Sequence, residues 1–415
     1  MEPVPTVLLV ATMDTKGEEV SYLSRCLEES GVQVLLMDVG ILGESPVQAQ
    51  ISAREVAETA GFSLEELRMI KNEGKALEMM IKGATERALS LYQGGKIQGL
   101  LSLGGSMGTD MGTSIMRAFP IGFPKVMIST LASHNTRPYV GTRDIMMLNA
   151  ICDLSGLNRV TERVLKNGAM AVAGMAKAYS RYEKSSKPLI LLSTLGTTEV
   201  CSQSIKRALE RDGREVVVFH TTGTGGKALE EMVREEKVEA VIDISLTELG
   251  NHLIGGEYDA GTTRCQSALE KGIPVIFVPG NTDFFSTGPL SFAKQRFPGR
   301  HYHVHNAAIT AIRVEHHETV KIAERLAMLC NAKKGPCVII VPLGGLSSFD
   351  QPGGPFHDPE APLLFLNTLK KHLHQGTELH VSPHHVNDPM FIAEVLQVWK
   401  EFSLQMRISR NAGVG

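Results

Sequence analysis

Residues 7–40 read VLLVATMDTKGEEVSYLSRCLEESGVQVLLMDVG, and residues 189–222, LILLSTLGTTEVCSQSIKRALERDGREVVVFHTT, align with them without a gap. In this alignment Gly31 falls on Gly213. Each copy has the pattern of a short apolar strand, a helix with 3.6-residue periodicity and a second apolar strand. An ungapped match of this length favours internal duplication, which predicts two related Rossmann-like subdomains.

Further strands are indicated by short runs rich in Val, Ile and Leu that alternate with helical segments along the chain. Strands that are apolar throughout are typical of a parallel sheet covered by helices on both faces. We therefore predict an α/β protein in which each subdomain has a mostly parallel sheet flanked by helices. The predicted strands are Thr6–Ala11, Val32–Asp38, Gly99–Leu103 and Lys125–Ser129 in the first half, and Pro188–Ser193, Glu215–His220, Ala240–Ile244, Pro274–Val278 and Cys337–Pro342 in the second.

The boundary between the subdomains is predicted in the segment SRYEKSSKP, residues 180–188, which is polar and ends in proline. It separates an N-terminal, nucleotide-binding subdomain (residues 1–183) from a C-terminal subdomain (residues 188–415). A chain of 415 residues is longer than one hydrophobic core usually supports, which agrees with two domains.

The overall composition is that of a soluble globular protein, with 43% hydrophobic and 21% charged residues. The net charge of -3 provides no basic field for nucleic acid. The six cysteines form no CxxC pair, which is typical of reduced thiols and leads us to expect a cytoplasmic protein. The first residues, MEPVPTVLLVATMD, are predicted to form a strand rather than a signal peptide, and no apolar run has membrane-spanning length.

The loop after the first strand, residues 12–19, carries side chains that suit a nucleotide site. Ligands of open α/β sheets bind beyond the carboxyl ends of the strands. There Asp14 could hold Mg²⁺ and Lys16 could meet phosphate, with the hydroxyls of Thr12 and Thr15 as further donors. The alternative is that Thr15 only caps a helix beginning at Lys16, with a glutamate three positions on completing a capping box.

The loop after the third strand, in LLSLGGSMGTDMGTSIM (residues 100–116), is predicted to bind an anion. Gly104 and Gly105 remove side chains where a ligand would approach, and Ser106 and Thr109 offer hydroxyls. The N-terminus of the following helix adds unpaired N–H groups and the positive end of its dipole. The alternative is a sharp turn, which requires only one or two glycines, whereas this stretch has four within nine residues.

The next loop, residues 129–144, is dense in polar donors. Ser129, Thr130 and Arg143 are predicted to contact the same nucleotide, because arginine pairs well with phosphate. Loops rich in such residues often carry function, although a long surface loop would have the same composition.

The second half carries a different set of candidates, which are histidines and an acid that follow several strands. His220, Asp243, His305 and His357 could converge on an acid–base or metal centre. They are predicted as catalytic residues. They lack the tight spacing of a zinc protease motif, so the sequence signal for metal is weak, and metal binding by this cluster stays an open alternative.

Three other patterns in the second half have weaker signals. HTTGTGGK (residues 220–227) follows a strand and opens a helix, so it is a second candidate anion-binding turn. Glu248 and His252 lie four positions apart on a predicted helix, and we interpret this pair as part of a solvated helix face. Asp283 and Asp350 are further acids near strand ends.

Six motifs, spread over essentially the whole chain, resemble one family as a set. They are ATMDTKGEE, LLSLGGSMGT, STLASHNTRPYVGTRDI, FHTTGTGGKALE, LTELGNHLIGG and GGPFHDPEA. Together they resemble the ATP-binding domain family of the tomato mosaic virus resistance protein, an uncharacterised protein family. The chain departs from that family at PGNTDFFSTG (residues 279–288), where we expect an aliphatic, asparagine-bearing loop, PGALDMVNFG.

The resemblance implies two Rossmann-like subdomains, ATP with Mg²⁺ as ligands, and association into homodimers. It also implies a partner resembling the barrel domain of phosphoenolpyruvate-handling enzymes, which relatives carry fused to them or encoded beside them. We expect that barrel domain here as a separate protein. The resemblance supplies a ligand but no settled reaction.

Three hypotheses on function stay open at this stage. The first is a cytosolic ATP- and Mg²⁺-binding protein that uses or senses nucleotide together with a small-molecule second ligand. The second is a hydrolase or lyase that acts on a small carboxylate or sugar acid without ATP turnover. The third is a regulatory module that senses nucleotide without catalysis.

Overall fold

Two parallel sheets dominate the structure, a computed structural model that describes residues 4–179 and 185–412, with side chains as far as residue 404. The chain divides into two compact units, Met1–Lys184 and Ser185–Gly415. Within the predicted linker, residues 180–184 lie outside the described residues. Each unit has a parallel sheet flanked by helices, so the predicted α/β fold class is confirmed.

The first unit is built on a five-stranded parallel sheet. Its strands are β1 (Thr6–Ala11), β2 (Gln33–Asp38), β3 (Gly99–Gly104), β4 (Lys125–Ser129) and β5 (Met146–Asn149), in the order β2-β1-β3-β4-β5. Its helices are α1 (Met13–Glu29), α2 (Ala53–Thr59), α3 (Leu64–Met69), α4 (Glu73–Gln93), α5 (Ser106–Arg117), α6 (Arg137–Val140) and α7 (Thr161–Tyr179).

The second unit has a six-stranded parallel sheet and a small antiparallel one. The strands are β6 (Leu189–Thr194), β7 (Glu215–His220), β8 (Val238–Ser245), β9 (Val275–Gly280), β10 (Phe284–Thr287), β11 (Tyr302–Asn306), β12 (Ile309–Arg313), β13 (Cys337–Pro342) and β14 (Glu378–Ser382). The large sheet has the order β14-β13-β9-β8-β6-β7, and β10-β12-β11 form the small sheet. The helices are α8 (Glu199–Arg211), α9 (Thr224–Glu235), α10 (Thr247–Ile254), α11 (Ser267–Lys271), α12 (Leu290–Arg296), α13 (His316–Asn331), α14 (Glu360–His372) and α15 (Pro389–Ala412), and a single 3₁₀ turn covers Gly196–Thr198.

The two parallel sheets share one strand order. Strands β2-β1-β3-β4 of the first unit correspond to β7-β6-β8-β9 of the second, which is the correspondence that the ungapped sequence alignment predicts. All nine predicted strands are present, with ends shifted by at most two residues. This shared order supports the interpretation that the units arose by duplication.

Both faces of each parallel sheet are covered, because alternate side chains of a strand point to opposite faces. In β1, Leu8 and Val10 enter one apolar cluster, whereas Val7 and Leu9 enter another. The apolar clusters of the second unit divide the strands β6, β8, β9 and β13 in the same way. Among the described helices, none combines the length and the apolar character that a membrane crossing needs.

Gly83 sets the distance between α4 and α2, and its replacement by alanine is expected to destabilise the first unit. A Cβ at Gly83 would lie 2.1 Å from the carbonyl oxygen of Val56. We expect Gly83→Ala to lower the free energy of unfolding by about 1–3 kcal/mol, since the two helices must move apart. Gly174→Ala is the matched control, because that helical glycine has no neighbour within 4 Å. Thermal unfolding followed by circular dichroism should show a lowered midpoint only for Gly83→Ala, and equal midpoints would contradict the prediction.

Candidate functional site

The loop after β1 is organised by a carboxylate from the neighbouring strand. Asp38, at the end of β2, accepts hydrogen bonds from the N–H groups of Met13 (3.0 Å) and Gly40 (2.9 Å). Burial raises the pKa of Asp38, an effect that these two donors partly offset. The first N–H group of α1, that of Met13, donates to Asp38. Helix α1 therefore begins at Met13, whereas the capping alternative predicts a helix that begins at Lys16. Lys16 instead marks a break, with φ −124° and ψ 25° inside the helix.

Asp14 anchors the loop that follows β2 with one oxygen and leaves the other unpaired. Its Oδ2 accepts from the N–H groups of Leu42 (2.8 Å) and Gly43 (3.0 Å). A side chain at Gly40 would meet the Asp14 carboxyl carbon at 2.6 Å, so only glycine permits this approach. Its Oδ1 is buried and has no hydrogen-bond partner among the described residues. A buried polar atom without a partner is unusual in a folded protein.

The glycine-rich turn after β3 contains one glycine required by packing and one that faces open space. A Cβ at Gly104 would lie 2.8 Å from Cα of Gly108 in the first turn of α5. A Cβ at Gly105 would meet nothing closer than Oγ1 of Thr130, at 3.9 Å. Gly105 precedes the 12-residue helix α5, whose first N–H groups have no partner within the helix. The turn therefore presents backbone donors, and the positive end of a helix dipole, to the space at Gly105.

A cavity of about 560 Å³ brings these two loops together. This volume lies within the range of small-molecule sites. Seven of the predicted nucleotide-binding residues line it: Thr12, Asp14, Thr15, Lys16, Gly104, Gly105 and Ser106. Gly108, another glycine of the predicted turn, also lines it. The rest of its wall is mostly apolar and comes from residues that the sequence did not indicate: Val39, Ile41, Leu42, Leu67, Ile70, Ala76, Leu77, Met107 and Met111, with Arg68 and Glu73 as further charged groups.

Arg68 is a cation of the cavity wall that sequence reasoning missed. Its guanidinium donates to the carbonyl oxygens of Ile41 (Nε, 2.8 Å) and Gly43 (Nη2, 2.8 Å), so it holds the loop that Asp14 also holds. The available signal was the capping box at Ser63 and Glu66, which predicts a short helix ending near Arg68. The ammonium of Lys16 donates to the carbonyl of Leu154.

The other predicted nucleotide-binding residues do not line the cavity. Thr109 and Ser129 are buried, and their hydroxyls lie 2.6 Å apart, tying α5 to the end of β4. Arg143 donates to the carbonyl of Arg117 (3.0 Å), at the C-terminal end of α5 and so at the far end of that helix from the turn. Thr130 lies beside Gly105 without forming part of the wall.

The four predicted catalytic residues of the second unit have separate surroundings. His220 is exposed at the end of the edge strand β7, and His305 is exposed on β11 of the antiparallel sheet. His357 lies in the loop between β13 and α14, with Nδ1 3.7 Å from Oδ1 of Asp350. Asp243 is buried in an ion pair with Arg264. Among the residues that the structure describes, no hydrogen bond or ion pair joins any two of these four.

Asp243 belongs to a buried ionic network centred on Arg264, which is 1% exposed. The guanidinium donates to both carboxylate oxygens of Asp243 (2.6 and 2.8 Å) and to Glu248 (2.7 Å). Glu230 lies 3.6 Å from the same guanidinium. The carboxylate of Asp243 also accepts from the hydroxyl of Ser193 at 2.5 Å. With every acceptor occupied, this network has the character of a structural element.

The position of Glu248 corrects two interpretations of the second unit, the solvated helix face and the candidate anion-binding turn. Its side chain is fully buried, so it does not belong to a solvated face with His252, which instead lies 2.9 Å from Asp259. Its Oε1 accepts from the N–H groups of Gly223 (2.7 Å) and Gly226 (2.9 Å). The candidate anion-binding turn, residues 220–227, therefore holds a carboxylate of the protein itself, because the N-terminus of α9 points at Glu248.

Asp283 and Asp350 form a second buried acidic pair in this unit, near the carboxyl ends of β9 and β13. Asp283 accepts from the hydroxyl of Ser347 (2.6 Å) with Oδ2, whereas its Oδ1 has no partner among the described residues. Burial, and then the charge of Asp350, raises the pKa of Asp283 to about 7. Burial also raises the pKa of Asp350 to about 6. In residues 4–179 and 185–412 no three His, Cys, Asp or Glu side chains converge as a protein-made metal centre.

Comparison with known proteins gives matches over nearly the whole chain. Residues 5–181 match the N-terminal domain and residues 187–403 the C-terminal domain of Uncharacterised protein family (UPF0261). A UPF0261 protein of Clostridium tetani (strain Massachusetts / E88) is 37% identical over 88% of this chain and 90% of its own length. The ToMV resistance protein Tm-1(GCR237) of Solanum lycopersicum is 31% identical over 97% of this chain and 56% of its own length.

The similarity to solved structures is much weaker than the similarity to these relatives. The structure of UDP-N-acetylglucosamine 2-epimerase from Rickettsia bellii aligns with 66% of this chain and 79% of its own, at 10% identity and a TM-score of 0.25. A likeness of that size carries no argument about function. The two domain matches and the full-length relatives, in contrast, are decisive: the chain belongs to the uncharacterised protein family UPF0261.

Proposed function

We propose that the cavity of the first unit binds ATP together with Mg²⁺, and that the protein uses or senses this nucleotide with a small-molecule second ligand. The observation that carries the proposal is the convergence of the Thr12–Lys16 loop and the Gly104–Ser106 turn on one cavity of about 560 Å³. The resemblance drawn from the six sequence motifs implies the same ligand. The dimer and the barrel-domain partner stay predictions of that resemblance.

The phosphates are placed against Gly105 and the first turn of α5. This position offers unpaired backbone N–H groups, a helix dipole and the exposed hydroxyl of Ser106. Gly105 has open space where other residues have a side chain, which allows a phosphate to approach the backbone. Arg68 and Lys16, on the wall of the same cavity, are the cations available to balance its charge.

Asp14 is the group that fits Mg²⁺. Its buried Oδ1 has no partner among the described residues, which is the state of an oxygen that a cation would complete. Mg²⁺ bound with nucleotides typically uses one or two carboxylates together with phosphate oxygens and water. A single carboxylate on the cavity wall beside the phosphate position therefore fits such an ion, although no cluster of three ligands exists among the described residues.

The apolar wall of the cavity suits the base of the nucleotide. Leu67, Leu77 and Met111 are buried beneath it, and Leu42 and Met107 are exposed at its edge. Ligand sites are commonly apolar with a few convergent polar groups. Most of these apolar side chains lie on α3, α4 and α5, whereas most of the polar groups lie in the Thr12–Lys16 segment and the Gly104–Ser106 turn, so we assign the base to the apolar part of the wall.

Gly105→Val is expected to abolish or strongly weaken ATP binding without unfolding the protein. The valine side chain enters open space in the protein but occupies the proposed phosphate position. We expect at least about a tenfold rise in Kd, equivalent to about 1.4 kcal/mol, measured by titration calorimetry with ATP and Mg²⁺. Gly174→Val is the control, since that exposed glycine also has no neighbour within 4 Å and is not on the cavity wall. Unchanged ATP affinity in Gly105→Val would remove the phosphates from this turn.

A second variant separates the metal from the nucleotide. Asp14→Asn keeps an oxygen that can accept from Leu42 and Gly43 but removes the charge. We expect its ATP affinity to lose most of its dependence on Mg²⁺ while the affinity without Mg²⁺ stays within about threefold of wild type. A full Mg²⁺ dependence in Asp14→Asn would show that the ion is not held by Asp14.

A further inference from the structure

Two buried acids in the second unit are close enough for the charge of Asp350 to raise the pKa of Asp283, and they have little charge compensation. Asp283 (5% exposed) lies between β9 and β10, and Asp350 (1% exposed) lies in the loop after β13. The charged and titratable groups that act on the pair are Arg313, His357 and His385. Arg313 is already engaged in an ion pair with Asp358, so it only partly offsets the two carboxylates.

One oxygen of this pair has no partner. Oδ2 of Asp283 accepts from Ser347, but Oδ1 is buried and unpaired among the described residues. Nearly all buried polar atoms of folded proteins are hydrogen-bonded, so this carboxyl oxygen is available to a water molecule or a ligand. Burial raises the pKa of Asp283 to about 7, so at neutral pH a substantial fraction of this carboxyl group, on the order of half, carries its proton and can donate.

His357 places a partly exposed imidazole beside Asp350. Asp350 is fixed by the N–H groups of Leu346 (3.0 Å) and Asp358 (2.9 Å), and its Oδ1 lies 3.7 Å from Nδ1 of His357. The imidazole is 35% exposed, whereas both carboxyl groups are buried. Asp350 therefore lies beside an imidazole that reaches the surface, and Asp283 is tied to the same loop through the hydroxyl of Ser347.

Aromatic rings flank the same loop. Phe349 and Phe356, next to Asp350 and His357 in the sequence, lie 5.7 Å apart between ring centroids. Phe349 is partly exposed and its ring also lies 4.7 Å from that of His303. Ring faces beside a few convergent polar groups are the usual wall of a small-molecule site. A buried carboxyl group that can hold its proton, in the same loop region as a partly exposed imidazole, is an arrangement that can divide acid and base roles on a hydroxylated substrate.

We propose that Asp283, Asp350 and His357 form an acid–base site for a small polyhydroxylated molecule, either a neutral sugar or a sugar acid. His357 takes a proton from a C–H or O–H group of the ligand, and the acid form of Asp283 gives a proton to a ligand oxygen. The ligand thus loses one proton and gains one, and no other reactant is needed. Asp350 touches neither proton and acts as the positioning residue for His357. This site is independent of the nucleotide proposed for the first unit.

Binding is tested on the full chain with a panel of four- to six-carbon aldoses and the corresponding aldonates, by titration calorimetry at about pH 6 and about pH 8. We expect at least one compound to bind once per chain, about tenfold more weakly at the higher pH because Asp283 loses its proton. Asp283→Asn, whose amide can donate as the acid does, is expected to lose most of this pH dependence. His357→Gln should weaken binding at least about tenfold, whereas His372→Gln should not, because His372 is a partly exposed histidine at the C-terminal end of α14.

Proton transfer is tested by deuterium exchange from D₂O into the bound compound, followed by the loss of its C–H signal in proton NMR. We expect exchange in wild type and His372→Gln and none in His357→Gln. Asp283→Asn should retain binding but exchange at least about tenfold more slowly. If no compound of the panel binds, or if His357→Gln binds and exchanges as wild type does, the proposal is wrong; binding by aldonates alone or by aldoses alone identifies the class.

Discussion

Arg264→Met is expected to lower the stability of the second unit by at least about 3–5 kcal/mol. The reason is that this single buried cation forms ion pairs with more than one buried carboxylate. Arg264 binds Asp243 through two nitrogens and Glu248 through a third, and all three side chains are 1% exposed or less. Without the guanidinium, Asp243 and Glu248 become buried charges without a counter-ion, and the cost of removing such charges from water is not repaid.

The geometry of the hydrogen bonds from Arg264 to Asp243 and Glu248 also predicts that lysine cannot replace this arginine. Lysine supplies one charged nitrogen, whereas Arg264 donates at Nε, Nη1 and Nη2 in a fixed plane. We therefore expect Arg264→Lys to lie between wild type and Arg264→Met in stability. Glu248 keeps the N–H groups of Gly223 and Gly226 in both variants, so the loss is concentrated at Asp243.

The measurement is urea unfolding followed by tryptophan fluorescence. The chain has one tryptophan, Trp399, which is 2% exposed in the second unit and so reports on that unit. Lys206→Met is the control, because Lys206 pairs with Glu210 on the surface of α8 at 29% and 41% exposure. An exposed pair of this kind contributes at most about 1 kcal/mol. A midpoint for Arg264→Met equal to that of Lys206→Met would show that the network does not stabilise the fold.

The parallel sheets could be predicted because their strands carry the signal in their own residues. Strands buried on both faces are continuous apolar runs, such as VLLVA in β1 and VIIV in β13, and no tertiary information is needed to recognise them. The strands that were missed are short or partly exposed. β5, β11 and β14 have mostly exposed or half-buried side chains. β10 has only four residues, FFST, and two of them are polar residues that tertiary contacts bury.

The convergence of two loops on one cavity was also predictable, since the carboxyl ends of parallel strands lie at one edge of a sheet. The hydrogen-bond and ion-pair partners of individual side chains could not be predicted in this way. Asp243 looks like a free acid at a strand end, but Arg264, 21 positions on in a segment without periodicity, occupies it. Thr109 and Ser129 look like phosphate donors, but they bind each other across 20 positions. Such pairings depend on tertiary contacts, which the local pattern does not contain.

The local sequence pattern also does not reveal which carboxyl oxygens are left unpaired in the fold. Asp14 was predicted as a metal ligand from its place after a strand, and the structure leaves its Oδ1 buried and without a partner among the described residues. Asp283 has the same property, yet its loop, PGNTDFFSTG, departs from the expected family sequence and gave no decisive signal. Whether an acid near a strand end is paired or unpaired is decided by neighbours such as Arg264, which come from elsewhere in the chain.

Asp283→Asn is expected to stabilise the second unit at pH 8 and to leave its stability nearly unchanged at pH 4. The pKa of Asp283 in the folded protein is about 7, above the value of about 3.9 for an unperturbed aspartate. Between these values the folded state binds more protons than the unfolded state, so stability falls as the pH rises from about 4 to about 7. Above pH 7 the full penalty of ionising a buried carboxyl group is present. Asparagine avoids that penalty because it has no proton to lose.

A shift of about three pKa units corresponds to on the order of 4 kcal/mol, and we expect the variant to recover at least about half of it at pH 8. Urea unfolding with Trp399 fluorescence, from about pH 4 to pH 8, measures the difference. Asp350 contributes a similar dependence in both proteins, since burial raises its pKa to about 6; its part therefore largely cancels when the two curves are subtracted. Glu378→Gln, which removes a carboxylate that is 60% exposed in the same unit, is the control. Parallel curves for wild type and Asp283→Asn would mean that Asp283 is ionised throughout, and that its unpaired oxygen meets a cation or a donor at neutral pH.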